Sequence, residues 1–152
     1  MSVNGAANNP NSVASHQGLQ DGLLQGLAYP SMVEAVISTA ANVTYTVAQV
    51  LGGLITRAGN GAARTDTLPK AADLVAAING AMVGSSFELV IRNNSATAVS
   101  ITLAAGTGGT LDPTSTTIAQ NNAKTYSFIF TNVTPGSEAY VCKSLGGGQY
   151  TG

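Results

Sequence analysis

Charge is what this chain has least of. Only 9% of its 152 residues are Asp, Glu, Lys or Arg, against roughly 25% in ordinary globular domains. Six basic and seven acidic residues leave a net charge of −1, and none of the basic residues cluster. The basic stripe that a phosphate backbone requires is absent, which argues against DNA or RNA as a direct partner. Tryptophan is missing, and there is a single histidine and a single cysteine. One cysteine cannot close an internal disulfide, so stability has to come from packing or assembly, in keeping with synthesis in a reducing cytoplasm. No apolar run approaches the roughly 18 residues that span a bilayer, and the N-terminal residues show no basic region followed by an apolar one. Neither membrane insertion nor signal-directed export is expected.

The same scarcity limits chemistry. His16 stands among polar residues without a carboxylate or cysteine at ligand spacing, so no dyad, triad or zinc site can be built on it. Cys142, between Val141 and Lys143, reads as a buried, inert thiol. The carboxylates Asp21, Glu34, Asp66, Asp73, Glu88, Asp112 and Glu138 are dispersed, so a glycosidase-like pair would need tertiary convergence. Residues 58–64 contain Gly59, Asn60 and Gly61 but lack the GK[ST] ending of a P-loop, and Gly106, Gly108 and Gly109 read as a loop tip. The chain is expected to be non-catalytic and to need no cofactor or metal.

What fills the place of charge is Gly, Ala, Thr, Asn and Ser, a composition that favours close contact with neighbours over much of the surface. Residues 1–41 read as an extended N-terminal arm with a possible short helix, and residues 42–152 as the folded body. Up to about Tyr29 the chain is too polar to bury a core of its own. Leu19, Leu23, Leu24 and Leu27 fall near one helical face, but Gly18, Gly22 and Gly26 interrupt it, each costing a helix about 1 kcal/mol relative to alanine. Leucines interleaved with small residues suit a segment lying in a groove of another subunit. After Pro30, Ser31 and Glu34 stand at capping-box spacing for a short helix, while the β-branched Val33, Val36 and Ile37 fit a strand equally well.

From Asn42 the pattern is β. Val43, Tyr45 and Val47 alternate with polar positions, and Gly52 with Gly53 marks a bulge or close backbone approach. A helix is expected within 65–80, with Thr67 near its N-cap, Pro69 in its first turn, Leu74, Val75 and Ile78 inward and Gly80 at its stop. Phe87, Leu89 and Ile91 alternate, Asn93 and Asn94 are placed in a turn, and Val99, Ile101 and Leu103 alternate again, which predicts a hairpin. Residues 106–113 form a loop, 117–119 a short strand and Asn121–Asn122 a turn. Tyr126, Phe128 and Phe130 share the core face of the next strand, and a last strand runs from Glu138 to Leu145. Strands near ten-residue spacing predict a mainly β fold, a β-sandwich or barrel with one short helix.

The segments LGGLITRAGNGAARTDTLPKAADLVAAI (51–78), GSSFELVIRNNS, TIAQNNAKTYSFIFTNV and SEAYVCKSLG resemble virion proteins of tailed bacteriophages over about two-thirds of the chain. These include capsid decoration or cement proteins, often trimeric, whose sandwich or jelly-roll bodies brace the major capsid protein from outside the head. The resemblance implies a structural protein of the virion surface, made in the host cytoplasm, with the major capsid protein and its own copies, as a homotrimer, for partners. The contact residues expected on this reading are Leu19, Leu23, Leu24, Leu27 and Tyr29 of the arm, with Arg57 and Arg64 beside the 58–61 turn. Arg57, Arg64 and Asp66 could equally form a solvated pair of little energetic weight. The alternative function is a receptor- or glycan-binding head or tail-fibre module, suggested by Thr-, Asn- and Gly-rich loops and five tyrosines.

Overall fold

The computed structural model describes residues 32–59, 61–111 and 117–150. Its compact unit begins at Met32. The fold is mainly β; the described residues form nine strands and two short helices in the order β1 (Val33–Ile37), α1 (Val47–Leu51), β2 (Gly53–Ala58), β3 (Arg64–Thr67), α2 (Ala71–Ala77), β4 (Ser86–Asn94), β5 (Ile101–Ala104), β6 (Gly109–Leu111), β7 (Thr117–Ile118), β8 (Asn122–Asn132) and β9 (Ala139–Gln149). They form a six-stranded sheet, β1-β2-β4-β8-β9-β6, and a three-stranded one, β3-β5-β7.

Both sheets are mixed. The pairs β1–β2, β2–β4, β3–β5 and β6–β9 are parallel, whereas β4–β8, β8–β9 and β5–β7 are antiparallel. This departs from the jelly-roll pattern, in which the strands are antiparallel throughout. One hydrophobic cluster serves both sheets and both helices. It joins Ile55, Leu89, Ile91, Tyr126, Phe128, Phe130, Tyr140 and Cys142 of the large sheet to Ile101, Leu103 and Ile118 of the small one, with Val50, Ala71 and Leu74 from the helices. Phe87 stacks on Phe128 at 4.7 Å between centroids, and Phe128 meets Tyr140 at 5.2 Å. The inward assignment of Tyr126, Phe128 and Phe130 holds; each is 1% exposed.

Several local expectations are revised by tertiary pairing. The segment after Ser31 takes the strand alternative, and its parallel pairing with β2 brings residues 33–41, assigned to the arm from sequence, into the body. The alternation at 43–47 yields only an isolated bridge, Thr44 to Thr67, before a helix begins. That helix is set by a capping box not at Ser31 but at Thr46: its Oγ1 accepts from the Gln49 N–H at 3.2 Å, and its own N–H donates to Gln49 Oε1 at 2.8 Å. Gly53 follows at φ 85, and a Cβ on Gly52 would lie 2.7 Å from the Val33 carbonyl, so the GlyGly pair marks a close backbone approach. The predicted 65–80 helix shrinks to Ala71–Ala77 because residues 64–67 pair with β5 instead.

The predicted hairpin over 87–103 does not form. β4 lies between β2 and β8 in the large sheet, and β5 between β3 and β7 in the small one. Asn93, expected in the turn, is a fully buried tie near the end of β4. Its Nδ2 donates to the carbonyls of Val99 at 2.8 Å and Ile118 at 3.0 Å, while its Oδ1 accepts from Ser95 Oγ at 2.5 Å. The 106–113 loop contains β6, where the ring of Tyr140 lies where a Cβ on Gly109 would stand.

Candidate functional site

Arg57 of β2 and Asp66 of β3 are both 0% exposed. Arg57 Nε lies 2.7 Å from Asp66 Oδ2. Its Nη1 donates to the carbonyls of Ile37 (3.3 Å) and Thr39 (3.1 Å), and Nη2 to those of Ala41 (2.9 Å) and to Asp66 Oδ1 (3.4 Å). Asp66 also accepts from the Tyr45 hydroxyl at 2.8 Å and the Val43 N–H at 3.1 Å. Burial, then the Asp66 charge, pushes the Tyr45 phenol far above its ordinary range. The constellation fastens the connection after β1 to the core; Arg57 Nε faces Asp66 as an ion pair but has no hydrogen-bond partner among the described residues. Arg57 was expected to reach a neighbouring subunit or solvent. Its guanidinium is instead sealed inside the body, because the carbonyls of 37–41 turn inward and need a multidentate donor.

Arg64 is half-buried on β3, where its N–H donates to the Ser100 carbonyl at 3.0 Å. Leu19, Leu23, Leu24, Leu27, Tyr29 and His16 lie outside the described residues. Cys142 is buried and unpaired, and burial pushes its thiol up to about 12, which suits packing rather than nucleophilic work. Among the described residues no three His, Cys, Asp or Glu side chains gather to hold a metal ion, and no helix is long and apolar enough to cross a membrane.

Two surface features remain. The first is β1, which among the described residues pairs only with β2 and is an edge of the large sheet. Met32, Val33 and Val36 are 63%, 61% and 63% exposed. The one charged group on the strand, Glu34, accepts a hydrogen bond from the Thr56 hydroxyl at 2.6 Å and so is turned onto its own sheet. Natural edges are usually guarded by lysine, proline or a bulge; β1 has none of these. Sequence reasoning held strand and helix open here and so did not single out this surface, although three β-branched residues in five positions were the available signal.

The second feature is a cleft of about 360 Å³ between the starts of the two helices and residues 105–107. Its polar lining includes Thr44, Thr46, Thr67, Lys70, Asp73 and Thr107. Tyr45 also borders it but is 1% exposed, so its ring offers little for a sugar to stack on. Asp73 is the sole carboxylate in that lining, and no nucleophile stands beside a base. Hydroxyls with one cation and one anion can bind a small polar group there; they do not make a hydrolytic pair.

Comparison with known proteins gives no match to any family model, to any curated protein or to any solved structure.

Proposed function

We propose that this chain is a non-catalytic assembly protein, a capsid decoration protein that binds the major capsid protein through its N-terminal residues and braces the head. The observation that carries the reading is the unguarded apolar edge of β1, which starts where residues 1–31 end. An edge of this kind pairs readily with another chain by strand addition. A surface with few charges is consistent with repeated contacts that are individually weak and add up through multivalency. The virion location and the capsid partner come from the sequence resemblance. Deletion of residues 2–28 tests the proposal: the shortened protein should keep the far-ultraviolet circular dichroism of the body yet no longer join particles that lack it. Full occupancy by the shortened protein overturns the proposal.

The cleft favours a second reading, a receptor- or glycan-binding module. On that reading, titration with host-surface saccharides shifts the amide resonances of Thr46, Lys70, Asp73 and Thr107. Unmoved resonances at millimolar saccharide remove it.

A further inference from the structure

One face of the large sheet builds the core; the other carries a second apolar surface. Cross-strand partners share a face, so the registers fix which residues lie there. Leu54 pairs with Val90 and Val90 with Thr125; Ser86 pairs with Ile129 and Ile129 with Val141. These alternate with the buried Ile55, Leu89, Ile91, Tyr126, Phe128 and Tyr140. Leu54, Val90, Ile129 and Val141 are half-buried and are not packed against the core cluster. Three adjacent strands, β1, β2 and β4, run parallel, and parallel strands ordinarily have both faces covered. Among the described residues the helices and the small sheet send their buried side chains to the core side alone. Tyr150 lies over this outer face at one margin, its ring 4.4 Å from the Arg92 guanidinium.

The charges on this face select its occupant. Glu88 of β4, Ser127 of β8 and Lys143 of β9 form one cross-strand row. With strands about 4.8 Å apart, Glu88 and Lys143 stand about 10 Å from each other on either side of β8, too far to pair within the chain. Both are exposed. A two-fold axis along β8 exchanges the two flanking strands, so it sets Glu88 of each copy over Lys143 of the other and Ile129 over its own equivalent. The charged row is therefore complementary to itself, as an isologous interface requires. The strands that this axis lays on one another, β4, β8 and β9, are 9, 11 and 11 residues long and at that spacing present roughly 14 by 33 Å on each partner.

We propose that the outer face of the six-stranded sheet packs on the same face of a second copy of this chain, about a two-fold axis along β8, with Glu88 and Lys143 paired reciprocally. This deepens the assembly reading and rests on it, but the test needs no capsid, so failure here leaves particle binding to stand or fall by the deletion experiment. Sedimentation equilibrium on the purified full chain should give an even multiple of 15.2 kDa. Glu88→Lys or Lys143→Glu alone sets like charges opposite one another and should weaken pairing at least 10-fold, whereas the double variant should recover to within about 3-fold of wild type. Ser127→Cys, on the axis, should cross-link between copies through a short bismaleimide, with the buried Cys142 thiol slow to compete. A monomeric or strictly trimeric wild type, single variants that pair normally, or a double variant that stays apart overturns the proposal. Occupancy of the face by another protein, or by residues 1–31, shows as that monomeric wild type.

Discussion

Arg57 shows how one residue type in one place decides local stability. Its guanidinium neutralises a buried carboxylate and also satisfies the carbonyls of Ile37, Thr39 and Ala41. Replacing it by Met leaves the fully buried Asp66 without its counter-ion, so Arg57→Met should lower unfolding free energy by about 3–5 kcal/mol. Tyr45→Phe removes only the 2.8 Å hydrogen bond to Asp66 and should cost about 1.5–3 kcal/mol. Urea denaturation checks both; an Arg57→Met variant within 1 kcal/mol of wild type would contradict the assigned role. Asn93→Ala strips the donors from the Val99 and Ile118 carbonyls, and its cost, about 2–3 kcal/mol on the same assay, measures the tie between β4 and β7.

At the scale of elements, β1 has β2 as its one strand partner among the described residues. Val36→Lys places a charge on that edge without touching the core cluster, so stability should stay within about 0.5 kcal/mol while concentration-dependent association falls. Light scattering between 10 and 500 μM reads this out, and unchanged association sinks the edge as a contact. What could be read from sequence follows the range of the interactions involved. β8 declared itself because Tyr126, Phe128 and Phe130 at period two need one buried face whatever strand lies beside them. The turn at Asn121 was legible because backbone conformation there is set locally, at positive φ, whereas the helix expected to stop at Gly80 already ends at Ala77. The parallel pairs were not legible. A hairpin is the default for adjacent alternating segments, yet β4 and β5 found partners 29 or more positions away in β2, β3 and β8, and no turn chemistry records such a choice. Arg57, Arg64 and Asp66 were marked together around the turn, but alternation could not reveal that β2 is buried on both sides at Thr56 and Arg57. The outer sheet face could be identified only once the registers were known.

Across the whole molecule, four buried groups that hold their protons more tightly when folded set the response to alkaline pH. Burial raises Tyr45, Tyr126, Tyr140 and Cys142 above their ordinary values of 10.0 for tyrosine and 9.0 for cysteine, with Tyr140 and Cys142 at about 12. A group that holds its proton more tightly when folded leaves stability unaffected below its unfolded pKa and erodes it above. Stability should therefore be level to about pH 8, begin to fall near 9 as the unfolded thiol ionises, and steepen past 10 as the phenols follow. Each group contributes about 1.4 kcal/mol per pH unit until its folded value is reached. Thermal unfolding from pH 7 to 11 checks this, and a flat profile to pH 11 would contradict it.

The same whole-molecule view joins an unguarded edge, an open self-complementary face and a nearly neutral surface into an account of a protein built to sit among neighbours. The measurement that tests this most directly is electron cryomicroscopy of the particle that carries the chain. The account predicts density fitting residues 32–150 at regular sites between major capsid subunits, with residues before Met32 running from β1 onto the capsid. Density only at a tail or fibre tip, or none on the particle, would contradict it.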